Sequence, residues 1–158
     1  MENNPLVSII VITYNSSEYV IETLESAKSQ TYRNIELIIS DDCSTDNTYK
    51  LCESWLENNA SYFVKSSIVS TNYNKGISGN CNNGLLFATG DWVKYIAGDD
   101  ILLPNCIESY IDYSILNPSA KIIVAEIIGF NENNEEKVMN PPKNFQKYTA
   151  RQQFRWML

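Results

Sequence analysis

Four times in this chain a short apolar run stops abruptly in a polar cluster, and a helix-like pattern comes next. Ile9-Ile10-Val11-Ile12 runs into Thr13-Tyr14-Asn15, and Glu36-Leu37-Ile38-Ile39-Ser40 into Asp41-Asp42-Cys43-Ser44-Thr45-Asp46. Ser67-Ile68-Val69-Ser70 runs into Thr71-Asn72-Tyr73-Asn74, and Trp92-Val93-Lys94-Tyr95-Ile96 into Gly98-Asp99-Asp100. Repeated strand–turn–helix units specify an α/β fold with a mainly parallel sheet and helices on both faces. The carboxyl ends of parallel strands share one edge, where open α/β sheets bind ligands. All four clusters, two of them with paired aspartates, are therefore expected to converge on one crevice.

The individual elements follow from periodicity. Leu6 to Ile12 is apolar on both faces, as a central parallel strand is. A helix is predicted over residues 17–30, with Val20, Leu24, Ala27 and Thr31 as its buried stripe. Ile35 to Ser40 is the second strand. Ser44 or Thr45 is expected to cap a helix with the stripe Thr48, Leu51, Cys52, Trp55 and Leu56. Tyr62 to Thr71 reads as a third, less apolar strand. Gly76 opens a helix marked by Ile77, Cys81, Leu85 and Ala88, with Gly90 as its stop. Asp91 to Ala97 is the fourth strand, and Pro104 suits the first position of the next helix. That helix carries Ile107, Tyr110, Ile111 and Ile115 and ends at Asn117-Pro118. Lys121 to Phe130 reads as a fifth strand, Asn131 to Lys147 as a polar loop or hairpin tip, and Tyr148 to Leu158 as the start of a helix.

Bulk properties narrow the function. A chain of 158 residues supports one domain, taken as 1–158. A net charge of −7 argues against a nucleic-acid partner, whose phosphates need a basic surface. It also means that a phosphorylated ligand needs a cation beside it. No histidine occurs, which removes Ser-His-Asp, Cys-His and H-E-x-x-H sites. Any metal must then be held by oxygens, which favours Mg²⁺ or Mn²⁺. Cys43, Cys52, Cys81 and Cys106 lack zinc-type spacing and read as reduced thiols. The N-terminal apolar run is too short to cross a bilayer and lacks a cationic lead-in, so a cytoplasmic location is expected.

Asp99-Asp100 lies between a strand and a helix. A solvated turn or a cap accounts for one such carboxylate, but Asp100 stands several residues before Pro104, so capping does not explain both. Adjacent carboxylates there can divide labour between a hard cation and a ligand hydroxyl. In the second cluster, Asp42, Ser44, Asp46 and Glu53 fall on positions 1, 3, 5 and 12 of a calcium loop. That reading fails because Asn47 replaces the turn glycine and a strand precedes the loop. Ser44, Thr45 and Asp46 suit a helix cap, which leaves Asp41 and Asp42 unexplained. Neither G-x-G-x-x-G after the first strand nor G-x-x-x-x-G-K-[ST] is present.

The ordered set Val7 to Asn15, Ser29-Gln30-Thr31-Tyr32, Glu36 to Asp46, Asn74-Lys75-Gly76, Asn82-Asn83-Gly84, Ala88-Thr89-Gly90-Asp91 and Gly98-Asp99-Asp100 resembles the family 2 glycosyltransferases, over about Pro5 to Ser119. The resemblance implies a GT-A (Rossmann-like) fold and a nucleotide-diphosphate-sugar donor at the strand ends, with Mn²⁺ or Mg²⁺ on its phosphates. By position it implies that Thr13 and Tyr14 line the base pocket and that Asp42 accepts from the base edge. Asp99 would contact the ribose or phosphate region, and Asp100 would be the metal ligand. Cys43 departs from a frequent glycine. Cys81 departs from a frequent arginine, which removes a cationic contact to the donor.

The expected function is inverting, metal-dependent transfer of a sugar from a donor, UDP-sugar favoured, to a glycan or lipid-linked acceptor, in bacterial-type polysaccharide or glycan synthesis. The alternatives are a non-catalytic nucleotide-sugar-binding domain and a nucleotidyltransferase, although Thr13 to Ser17 is neither glycine-rich nor basic. No catalytic base is identified. The family places it on the acceptor side, expected beyond Leu158, so the chain alone is expected to be inactive and residues 131–158 to begin the acceptor-side region. Apolar Phe154, Trp156, Met157 and Leu158 suggest a homo-oligomer or a longer parent.

Overall fold

A computed structural model describes residues 4–125, 127–130 and 136–139. Contacts divide the chain into two compact units, Met1–Pro118 and Ser119–Leu158.

The first unit is built on four parallel strands: β1 (Val7–Thr13), β2 (Ile35–Asp41), β3 (Lys65–Ser70) and β4 (Trp92–Ala97), in the order β3-β2-β1-β4. Their chain order requires crossovers, and α1 (Val20–Lys28), α2 (Thr48–Asn59) and α3 (Gly76–Leu85) provide them, with α4 (Cys106–Leu116) after β4. The central pair is apolar on both faces because both faces are covered. Val7, Ile9, Val11, Leu37 and Ile39 join the core formed with Val20, Leu24 and Ala27 of α1, Cys52 and Trp55 of α2, and Ile107 and Ile111 of α4. Each such aliphatic side chain stabilises the fold by roughly 1.5–3 kcal/mol. Register sets Thr13 beside Asp41, Asp41 beside Ser70 and Ile12 beside Ala97, so the four polar clusters do share one edge.

The opposite face is covered by α3, and here the predicted stripe is wrong. Ile77 is 71% exposed and Leu85 is exposed, whereas Asn80 and Gly84 are buried. The reason is steric. A Cβ on Gly84 would lie 2.5 Å from Ile10 Cγ2 and 3.2 Å from Ser40 Cβ, so the helix packs on the sheet through its smallest residue. Ser40 Oγ donates to the Asn80 carbonyl, and Asn83 Nδ2 donates to Ser40 Oγ at 3.0 Å.

Several boundaries differ from expectation for local reasons. The α2 cap is neither Ser44 nor Thr45: Asp46 accepts from the Thr48 amide at 2.9 Å and from the Thr48 hydroxyl at 2.5 Å. Just past the end of α1, Gln30 is buried instead of Thr31, since Gln30 Oε1 accepts from the Ile107 amide at 3.1 Å and so satisfies the first turn of α4. That helix starts at Cys106, past Pro104, whose carbonyl accepts from the Thr31 amide. Gly90 lies beyond the end of α3. Its amide donates to Ser8 Oγ, and a Cβ there would come within 2.7 Å of the Leu6 carbonyl.

In the second unit, β5 (Ile127–Phe130) pairs antiparallel with β6 (Glu136–Met139) in a separate two-stranded sheet. The predicted strand from Lys121 is found as β5 at its end, and β6 is a strand inside the stretch 131–147 expected to be a polar loop or hairpin tip, the rest of which lies outside the described residues. The predicted helix at Tyr148–Leu158 lies outside the described residues.

Candidate functional site

The carboxyl edge of the sheet is tied together by hydrogen bonds between the turns that leave β1 and β2. Thr13 Oγ1 donates to Asp41 Oδ1 at 2.9 Å, and Asp41 also accepts from the Ser44 hydroxyl and amide. Asn15, at φ 50°, accepts from the Thr45 amide through Oδ1, and its own amide donates to Ser44 Oγ. Asp46 accepts from the Ser17 amide, and Thr48 Oγ1 accepts from the Ser16 amide. Although burial opposes it, the hydrogen bonds from Thr48 and Ser17 hold the Asp46 carboxyl at about 2. Asp41 and Asp46 are therefore structural groups that weld one turn to the other.

Asp42 lies one residue past β2, at the same edge, and is only 2% exposed. Its Oδ1 accepts from Thr71 Oγ1 at 2.9 Å, and the Lys75 amide donates to both Oδ1 and Oδ2 at 2.9 Å. Oδ2 thus carries one bond fewer than Oδ1 and retains a lone pair for a further donor. Thr13, expected in a base pocket, is buried beside it. The Thr13 carbonyl accepts from the Asp42 amide and from Asn80 Nδ2, leaving Asn80 Oδ1 buried without a partner among the described residues. Tyr14 is 47% exposed at the rim. Cys43 adopts φ 61°, the left-handed region that favours glycine, so the turn keeps its shape with a side chain in place.

Asp99 and Asp100 come after β4, both exposed. Gly98 holds their turn against β1: its amide donates to the Ile12 carbonyl, and a Cβ would lie 2.9 Å from Thr13 Cγ2 and 3.1 Å from Ser16 Oγ. Partial burial and the adjacent Asp99 charge push the Asp100 carboxyl above its ordinary value. The chain after it is fixed from α1, where Ser26 Oγ accepts from the Leu102 amide and Gln30 Nε2 donates to the Leu103 carbonyl. Among the described residues no group of three or more Cys, Asp or Glu side chains forms a metal cluster. Asp99 and Asp100 suit a cation that draws its remaining ligands from diphosphate oxygens and water. Their mutual repulsion is what such a cation would relieve.

Sequence reasoning placed Thr71 in a converging cluster and Lys75 and Glu36 in the motif set but gave none of them a role, and it passed over Asn80. Burial pushes the Cys52 thiol up to about 12, with the Asp41 and Asp46 charges adding to it, and pushes the Cys81 and Cys106 thiols up too. All four cysteines are free.

Solved GT-A glycosyltransferases share this parallel sheet with helices on both faces. The chain superposes on Staphylococcus aureus TarS 1-349 in complex with UDP with a TM-score of 0.63 and 27% identity, covering 72% of this chain and 33% of that one. It is also similar to a mannosyltransferase from Pyrobaculum calidifontis in complex with GDP-Man and Mn²⁺, with a TM-score of 0.59, 28% identity and coverage of 63% and 29%. The profile of Glycosyl transferase family 2 matches residues 8–157, and the chain belongs to that family. Among its relatives, an uncharacterised glycosyltransferase of Haemophilus influenzae is 39% identical over 72% of this chain and 34% of its own length. The Escherichia coli UDP-Glc:alpha-D-GlcNAc-diphosphoundecaprenol beta-1,3-glucosyltransferase WfaP is 37% identical over 68% and 41%. The chain spans less than half the length of these relatives. Among the described residues no helix is long and apolar enough to cross a membrane.

Proposed function

We propose that this chain holds the donor side of a sugar transfer: it binds a nucleotide-diphosphate sugar, UDP-linked by preference, for transfer with inversion to the hydroxyl of a glycan or lipid-linked acceptor, in polysaccharide synthesis at the cytoplasmic side. The observation that carries the reading is the sharing of one sheet edge by Asp42 and the Gly98-Asp99-Asp100 turn, held together by Thr13. The UDP and UDP-GlcNAc complexes of TarS and the UDP-Glc donor of WfaP support a uridine nucleotide, and the diphosphoundecaprenol substrate of WfaP supports a lipid-linked acceptor.

Each residue has a role that its surroundings allow. Tyr14 offers an exposed aromatic face for the base, Thr13 fixes the pocket floor, and Asp42 Oδ2 accepts a base N–H. Asp99 accepts from a ribose hydroxyl, or faces the phosphate region through the cation. Asp100, with Asp99 beside it, would hold Mn²⁺ or Mg²⁺, which when bound neutralises the diphosphate and stabilises it as a leaving group. The acceptor hydroxyl needs a carboxylate to take its proton as it attacks the anomeric carbon, and none of these residues is assigned that task.

Calorimetry with UDP tests the reading. Affinity in Mn²⁺ is expected to exceed that in EDTA by at least about tenfold, on the order of 1.4 kcal/mol. Equal affinity in both rejects metal-assisted binding, and no binding in either rejects the nucleotide.

A further inference from the structure

We propose that Ser26 and Gln30, at the end of α1, are positioning residues for the cation: they anchor the far end of the span that carries Asp99 and Asp100. The inference rests on the proposed metal-assisted donor binding and adds two residues that act on it from inside the core. Three consecutive exposed residues, Asp99, Asp100 and Ile101, lie between buried Gly98 and buried Leu102. The near end is held from β1, where the Gly98 amide donates to the Ile12 carbonyl, and the Asp100 amide closes the turn on the Ala97 carbonyl. The far end is held from α1. The Leu102 amide donates to Ser26 Oγ at 3.1 Å, and the Leu103 carbonyl accepts from Gln30 Nε2 at 2.9 Å. One residue on, the Pro104 carbonyl accepts from the Thr31 amide at 2.8 Å.

Both anchors are buried, Ser26 at 7% and Gln30 at 1% exposure, and both are locked. The Ser26 hydroxyl gives its proton to the Thr23 carbonyl at 2.7 Å, so toward Leu102 it can only accept. Gln30 Nε2 also donates to the Ser26 carbonyl at 3.0 Å, and Oε1 accepts from the Ile107 amide at 3.1 Å. With donor and acceptor ends of the amide both engaged, Gln30 has one orientation, and the Leu103 carbonyl follows it. Adjacent carboxylates repel, and a span free at one end relieves the repulsion by letting them turn apart. A hard cation needs them where phosphate oxygens and water can complete its shell. Anchors at both ends settle the course of the span during folding, so less ordering is left for the binding step. The Ser29-Gln30-Thr31-Tyr32 segment, far from the carboxylates in sequence, thereby gains a part in holding them.

The test titrates the 158-residue chain, Ser26→Ala and Gln30→Met with UDP in Mn²⁺, with UDP in EDTA and with uridine. Ser26→Ala removes only the acceptor for the Leu102 amide and puts the best helix former in α1, so it carries the test even where Gln30→Met, which also strips the Ile107 amide, does not fold. Circular dichroism verifies the fold of each. The quantity read is the ratio of UDP affinity in Mn²⁺ to that in EDTA. It is expected to fall roughly tenfold in each folded variant, as it does when the groups behind a metal ligand are removed, while uridine affinity stays at the wild-type value. A wild-type ratio well above one that folded Ser26→Ala leaves unchanged overturns the positioning role alone. A uridine affinity that falls by the same factor also overturns it, since the loss is then one of general structure. A wild-type ratio of one overturns the metal reading and this inference together.

Discussion

Ser8 Oγ donates to Glu36 Oε1 at 2.5 Å, with both residues buried under the sheet face that α3 covers. The same carboxylate accepts from the Thr89 amide and hydroxyl and from the Gly90 amide, so one buried charge ties β1, β2 and the approach to β4. Burial alone would raise its pKa, but these donors outweigh it and hold the carboxyl below its ordinary value. Glu36 therefore stabilises the fold above its unfolded pKa of about 4.3, and that contribution is lost as pH falls through the lower, folded value. Glu36→Gln is expected to cost about 3 kcal/mol at pH 7, because the amide turns a donor toward donors. Urea unfolding from pH 7 to pH 3 checks both points: the gap between wild type and variant closes as pH drops. A gap that stays constant over this range contradicts the linkage.

The sign of backbone strain at Cys43 gives a second prediction. Its left-handed φ costs a non-glycine residue about 1–2 kcal/mol, partly offset by the extra unfolded-state entropy that glycine brings. Cys43→Gly is expected to raise stability by about 0.5 kcal/mol, and Cys43→Val, β-branched, to lower it by about 2 kcal/mol. Urea midpoints for the pair decide it. A glycine variant less stable than wild type would mean that the thiol makes a contact worth more than the strain.

Gly98 is where the Asp99-Asp100 turn, proposed to hold the metal, packs on the end of β1, and it has no room for a methyl group. Gly98→Ala is expected to displace Asp99 and Asp100 from Thr13, weakening UDP binding in Mn²⁺ by about tenfold. The accompanying loss of stability should be about 1–3 kcal/mol, since Gly98 is buried against Thr13 and Ser16 and a methyl group there overpacks the contact. Calorimetry alongside urea unfolding separates the two effects. Unchanged affinity would show that the position of this turn is not what binds the metal-nucleotide.

The parallel layout was legible because β1 and β2 carry apolar residues on both faces, and only a sheet covered on both faces asks for that. The shared edge followed from topology alone. What periodicity missed is what depends on the partner surface. Ile77 and Leu85 are spaced as a helical stripe should be, yet Ile10 leaves no space under that helix for anything larger than Gly84. Asp42 was visible as a carboxylate at a strand end, but Thr71 and Lys75 reach it from 29 and 33 residues away, through pairing of β2 with β3. Glu36 left one unused signal: a charge at the start of a strand otherwise apolar until Ser40.

Asp42 and Asp100 sit in opposite electrostatic settings, which predicts opposite responses to metal. Asp100 is exposed beside Asp99, without a cationic partner in ion-pair range among the described residues. Asp100→Asn should therefore reproduce the effect of EDTA on the wild type, lowering UDP affinity by about tenfold while leaving uridine unaffected. Removing this charge relieves its burial and its repulsion from Asp99, which outweigh the Ala97 hydrogen bond and the Lys94 attraction, so stability should hold or rise slightly. Asp42, by contrast, is buried and accepts from Thr71 and Lys75. Asp42→Asn should weaken uridine and UDP alike, even in saturating Mn²⁺, and destabilise the fold by about 2 kcal/mol, because the amide cannot satisfy both donors and a base N–H. Titrating the two variants with uridine and UDP, with and without Mn²⁺, resolves the two roles. If Asp100→Asn loses uridine as well, or Asp42→Asn keeps it, the division between a metal carboxylate and a base carboxylate is wrong.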